Sequence, residues 1–219
     1  MTKRIRMTAA LLGLGMLAGC GGAAGLTGAL QGAIAPLVGT QPAAASAAPA
    51  AGAAGAGGAV DPSSLRQVSL NTLGLTGTAT RLIDNGASAS FAGPQGFTYT
   101  MRDGMLVSTR GLGDDLMAAD ARQSRAALRA GGGQARRVHE TLDGLDRIER
   151  AEFDCTVTPK GVETVELGTR RVQARRFDEA CRGAALIFDN YYWLDAAGEI
   201  ISSRQFVSRG VAYLRSSDL

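Results

Sequence analysis

RAEFDCTV, residues 150–157, alternates without a break: Ala151, Phe153, Cys155 and Val157 fall on one side of an extended chain, Arg150, Glu152, Asp154 and Thr156 on the other. Successive side chains of a strand point to opposite faces, so a period of two describes a strand with one face in a core and one in water. The same texture continues in both directions. ATRLIDN, GFTYTMRD, MLVSTRG, QARRVHETL, VETVELG, RRVQARRFDEAC, ALIFDNYYWLD and EIISSRQFVS are short runs rich in Val, Ile, Thr, Phe and Tyr, separated by turn formers. DG at 103–104, LDG at 142–144, TPKG at 158–161 and DAAG at 195–198 are candidate hairpin reversals, which make sequence neighbours sheet neighbours. One helix stands out in DDLMAADARQSRAALRAGGG, residues 114–133. Asp114 or Asp115 would cap it, Leu116, Ala119 and Ala127 would supply its apolar side, and Gly131 to Gly133 would end it. The expected fold is mainly β: an antiparallel meander forming a curved, partly closed sheet or barrel, with one helix packed against it.

Toward the N-terminus the composition changes twice. MTKRIRM carries Lys3, Arg4 and Arg6 with no acid, and an uncharged apolar run follows from Thr8 to Ala18, the pattern of a secretory leader. A run of about a dozen residues at 1.5 Å each falls short of the roughly 30 Å hydrocarbon core, so a cleaved leader is expected over residues 1–19 and not a spanning helix. Leu17, Ala18, Gly19 and Cys20 resemble the bacterial lipobox, which implies lipid attachment at Cys20. Two or three acyl chains hold a protein to a membrane far more firmly than one. Gly21 follows where many bacteria place an inner-membrane retention Asp, so the outer membrane is the implied destination. Residues 20–64, rich in Ala, Gly and Pro, are expected to be a flexible tether. Residues 65–219 are long enough for a single β-rich domain.

Charge narrows the partners. Of 23 Lys and Arg, three lie in the leader, which leaves 20 bases against 20 acids. Phosphate neutralisation needs a basic surface, so nucleic acid is not an expected partner.

Few residues carry obvious chemistry, and no cofactor or metal site is expected. Cys155 and Cys181 are the two remaining cysteines of an exported chain, the usual setting for a disulfide, with two separate buried thiols as the alternative. TRGLGDDL places Gly111 and Gly113 before Asp114 and Asp115. It lacks the endings of phosphate and dinucleotide loops, and adjacent carboxylates diverge instead of facing each other across a cleft. A glycine turn with an acidic helix start is the expected structure. His139 is the only histidine and has no ligand-spaced partners, so a surface or edge position is expected. Tyr191, Tyr192 and Trp193 lie on one strand. Alternation sends Tyr191 and Trp193 to one face and Tyr192 to the other, which leaves core packing or contact with a partner or glycan open. The arginine pairs 136–137, 170–171 and 175–176 leave contact with acidic polysaccharide or lipid head groups open, with solvated strand faces as the expected position.

Taken together, the lipobox, RDGMLVSTRGLGDDLMAAD (102–120) and NYYWLDAAGEIISSRQFV (190–207) resemble the YjbF/GfcB family of group 4 capsule and exopolysaccharide lipoproteins. The resemblance runs from about Leu73 to Tyr213. It implies a lipid-anchored outer-membrane protein facing the periplasm, a non-enzymatic accessory in secretion or assembly of capsule or exopolysaccharide. The implied partners are an outer-membrane barrel, periplasmic export proteins and the polysaccharide itself. Two other roles stay open: a carrier of lipid or lipid-linked polymer in a curved-sheet cavity, and a polysaccharide-processing hydrolase.

Overall fold

Twelve strands build one antiparallel sheet in the computed structural model, which describes residues 61–219; the leader, Cys20 and the tether through residue 60 lie outside the described residues. The first run is β1 (Leu65–Leu70), β2 (Leu75–Asp84), β3 (Ser88–Ala92), β4 (Thr98–Arg102) and β5 (Met105–Arg110). A second run follows: β6 (Ala118–Asp120), the helix α1 (Arg122–Arg129), β7 (Gly133–Leu142), β8 (Ile148–Leu167), β9 (Arg170–Arg182), β10 (Ile187–Leu194), β11 (Ile200–Ser208) and β12 (Ala212–Asp218). Within each run sequence neighbours pair. β1 then pairs with β12 and welds the two meanders into one sheet. Its two ends, β5 and β6, meet at a seam where Thr109 N donates to Leu116 O at 2.8 Å, so the sheet is a nearly closed barrel.

The alternation at 150–157 sets the wall. Phe153, Cys155 and Val157 are buried, whereas Glu152, Asp154 and Thr156 are exposed; Ala151, on the core-facing parity at the start of the stretch, is exposed as well. On the outer side Arg136 of β7 reaches Glu152 and Asp154 of β8 at 3.7 Å each, a charged surface suited to water. Two buried clusters fill the barrel. One gathers Ala135, Phe153, Phe177, Phe188, Tyr192 and Leu194 with Ala127 and Leu128 of α1. The other joins Val68, Leu70, Phe91, Tyr99 and Leu106 to Val207 and Leu214.

Two expectations are corrected. TPKG does not reverse the chain: β8 runs through it for 20 residues, and a bulge between Pro159 and Gly161 absorbs the proline within the ladder to β9. The reversal comes later, at Gly168, where φ is +56°. The helix is also shorter than the pattern suggests. Met117 N donates to Glu140 O, and residues 118–120 pair with β7, so the edge of β7 claims the backbone groups an earlier helix start would need. Neither Asp114 nor Asp115 caps it: the N-cap position is Ala121, which has no capping side chain, and Asp120 just before it accepts from Arg122 N at 3.1 Å. The helix ends as expected in the glycines, with Gly132 N donating to Ala127 O. β1, β3, β6 and β12 are additional to the expected strands. SASFA and AAD carry too few β-branched residues to be conspicuous.

Candidate functional site

The glycine–aspartate loop between β5 and β6 holds the seam. Asp115 Oδ1 accepts from Thr109 Oγ1 at 2.7 Å and its Oδ2 from Gly111 N at 2.9 Å, while Thr109 Oγ1 accepts from Leu116 N at 3.0 Å. Asp114 faces elsewhere: its Oδ2 accepts from Gly210 N at 2.8 Å and its carbonyl from Ser208 Oγ, which ties the loop to the β11–β12 turn. Both carboxylates are thus occupied by backbone donors from different segments. Gly111 and Gly113 each take φ +88°, a left-handed backbone that side chains disfavour. Gln205 adds a second tie from β11, its Oε1 accepting from Leu106 N at 2.8 Å and its Nε2 donating to Gly104 O at 3.0 Å.

A polar network lies inside the barrel beneath α1. Glu179 Oε2 accepts from Arg137 Nη1 at 2.9 Å, Asn190 Nδ2 at 2.8 Å and the Tyr192 hydroxyl at 2.8 Å. Arg137 and Glu179 are 1% and 0% exposed, which corrects the expectation of a solvated arginine pair at 136–137: Arg136 is on the wall, Arg137 in the core. Burial pushes the Glu179 carboxyl upward, but the Arg137 charge and its hydrogen-bond donors hold it below the ordinary carboxylate value. Burial likewise opposes charge on Arg137, and Glu179 more than restores it. Losing either partner would strand a buried charge, at a cost of about 3–5 kcal/mol. The one sequence sign of Glu179's burial is the parity it shares along β9 with Phe177 and Cys181.

Cys155 and Cys181 sit directly opposite each other on β8 and β9 and are joined by a disulfide. With Glu179 they make the one cluster of possible metal donors among the described residues. Both sulfurs are spent in the bridge and the carboxylate is paired with Arg137, so this donor set does not suit a metal.

At one end of the barrel a cavity of about 540 Å³ opens between β7, β8, the β9–β10 turn and β11. His139, Phe153, Leu186 and Phe206 line its apolar part; Asp114, Glu149, Arg150, Glu152 and Arg209 surround it. His139 is 3% exposed, not at a surface or edge. Its ring stacks with Phe188 at 5.4 Å and Phe206 at 6.3 Å, and lies tilted 5.2 Å from Phe153. Burial, helped by the charge of Arg137, pushes its pKa down to about 3, so the imidazole is neutral. Its Nε2 is buried without a hydrogen-bond partner.

The aromatic strand divides as alternation requires. Tyr192 is fully buried in the Glu179 network and is out of reach of any partner. Tyr191 and Trp193 are half-buried on the outer wall, in a row of aromatic rings and guanidinium groups. Arg176 lies 5.6 Å from the Trp193 ring centre and 4.9 Å from that of Tyr191; Arg204 lies 4.9 Å from Tyr191 and 3.3 Å from Tyr213. The Trp193 indole N–H also donates to Glu163.

A family profile described as "Group 4 capsule polysaccharide lipoprotein gfcB, YjbF" matches residues 60–219, and the chain belongs to this family. Among solved structures it is similar to the hypothetical lipoprotein YmcC from Escherichia coli (K12), with 19% identity and a TM-score of 0.62 over 72% of this chain and 87% of that one. At that identity the likeness is one of fold. No curated protein matches the chain.

Proposed function

We propose that this protein is a non-enzymatic accessory in secretion or assembly of capsule or exopolysaccharide, held at the periplasmic face of the outer membrane by acyl chains on Cys20. The observation that carries this reading is the family match across the whole barrel domain. The chemistry of the loop agrees with it: Asp114 and Asp115 accept backbone N–H groups on separate segments, an arrangement for joining strands and not for acid–base work across a cleft. In this reading the barrel is a rigid module on a tether. The outer row around Tyr191 and Trp193 is the surface that meets the export barrel or a periplasmic component.

The test is polymer export in a deletion strain complemented with the intact gene or with Cys20→Ser. Secreted polysaccharide should fall on deletion, return with the intact chain and stay low with Cys20→Ser. Normal export without the gene would refute the role, and full rescue by the unanchored chain would refute the anchor. A second reading, a carrier of lipid or lipid-linked polymer, is favoured by the end cavity.

A further inference from the structure

On the outer face of the sheet, four neighbouring strands place their side chains in two rungs. One runs Ser69, Arg215, Arg204, Tyr191 across β1, β12, β11 and β10; the next runs Gln67, Ser217, Ser202, Trp193. Arg204 and Arg215 therefore stand directly opposite each other, and no other two cations do so in the register of the described strands. Like charges at such a position repel. Nothing in the chain neutralises them. On this wall Glu163 and Asp178 are held by Arg176. Asp189 meets Arg204 through its backbone carbonyl at 3.2 Å, and its carboxylate pairs with neither arginine. Residues 1–60 contain no Asp or Glu, so the N-terminal segment has no carboxylate to supply.

The two guanidinium groups are suited to an anion. Arg215 is exposed. Arg204 is half-buried between the rings of Tyr191 and Tyr213, 4.9 and 3.3 Å from their centres, which fixes its plane. Its Nη1 donates to Asp189 O, and its Nε and Nη2 donate to nothing among the described residues. A guanidinium held this way loses little further freedom on gripping a carboxylate with two N–H groups. Gln67, Ser69 and Ser217 beside it are uncharged donors and acceptors, the groups that sugar hydroxyls can meet. The exposed aliphatic side chains that an acyl chain would need lie elsewhere: Leu82 and Ile83 on the β2–β3 hairpin, Leu145 and Ile148 on the β7–β8 hairpin, and Ile187 at the far end of β10. Strands about 4.8 Å apart make each rung roughly 14 Å long, a track for a linear polymer.

We propose that this wall binds an acidic polysaccharide, with a uronate carboxylate between Arg204 and Arg215 and neighbouring sugar hydroxyls on Gln67, Ser69 and Ser217. The inference rests on the accessory reading, whose polymer it specifies as anionic. The site is centred on β11 and β12, beside the Tyr191 and Trp193 surface that meets a protein of the export system.

Trp193 is the only tryptophan, so its emission reports this wall. The test titrates the full chain carrying Cys20→Ser, in low-salt buffer, with trigalacturonate, its methyl ester, triglutamate and phosphatidylglycerol vesicles. Trigalacturonate should change the emission saturably. The uncharged ester and triglutamate should each bind at least about tenfold more weakly, and vesicles should cause no change. Arg215→Gln should weaken trigalacturonate about fivefold with no fall in melting temperature, because it removes a like-charged neighbour. Arg204→Lys keeps the charge but loses the planar fork, and should weaken it by a similar factor. Arg129→Gln, which removes a charge from α1, should leave the affinity unchanged. Absence of a saturable change, equal binding of the ester, unchanged affinity in either wall variant or an equal loss in Arg129→Gln would each overturn the proposal. So would equal binding of triglutamate, which would point to an acidic peptide, or a response to vesicles, which would point to lipid phosphate. None of these results bears on polymer export in the deletion strain, so the two readings fail separately.

Discussion

His139 shows how one residue links burial to stability. Its folded pKa near 3 lies below the roughly 6.5 of an unfolded chain, so between these values the unfolded state takes up the proton first. The contribution is whole above pH 6.5 and is lost as pH falls toward 3. From pH 7 to pH 4.5 the loss is about 2–3 kcal/mol. Urea unfolding at the two pH values should show His139→Phe losing less stability than the native chain by that amount; equal losses in both would contradict a buried neutral imidazole. The sequence held a partial sign of this burial. Ala135, Arg137 and His139 share one parity, but two of the three are polar types that usually face water, and only the partners Glu179, Phe188 and Phe206 reveal that face as the interior.

Among the elements, the β8–β9 ladder was the most legible and still hid its length. The alternation at 150–157 identified the strand and its buried face, and the two cysteines left beside Cys20 suggested the bridge. TPKG misled because a turn composition within a strand is tolerated wherever a bulge relieves the missing N–H. The disulfide closes a loop of sequence separation 26, which contributes about 3–4 kcal/mol in the chain-entropy model. Replacing Cys155 and Cys181 together with Ala should lower unfolding stability by about that amount, and reductant should shift the native chain but leave the variant unmoved. A variant as stable as the oxidised native chain would show that the ladder alone suffices. The helix was legible at its C-terminal glycines and misplaced at its start. Its first turn lost the competition for backbone groups to the edge of β7, which local sequence does not encode.

Across the whole molecule, closure rests on a few side-chain ties. Asp115 joins Thr109, Gly111 and Leu112 at the seam, Asp114 reaches the β11–β12 turn, and Gln205 clasps the β4–β5 turn. Gly104 in that turn has φ +78°, and a Cβ there would stand 2.7 Å from Ile200 Cβ, so the close approach requires glycine. A hydrogen bond to a charged acceptor contributes about 1.5–3 kcal/mol, so Asp115→Ala should speed exchange of the Thr109, Gly111, Leu112 and Leu116 amides by roughly ten- to a hundredfold. Amides of the β8–β9 ladder should not change. Unaltered protection at the seam would mean that backbone pairing alone closes the barrel.

The chain by itself determined the alternation of many of its strands, the hairpins at 103–104, 142–144 and 195–198, the pair of cysteines and the family-specific runs, because each of these is set within a dozen or so residues by side-chain parity and turn chemistry. The tertiary structure alone decided that β1 pairs with β12, with Arg66 bonding Ser216 across 150 positions, that Arg137 and Glu179 neutralise each other in the interior, and that a cavity opens beside His139. Those outcomes depend on which distant strands become neighbours, and pairing between remote segments is fixed by the packing of the finished barrel, not by any local pattern.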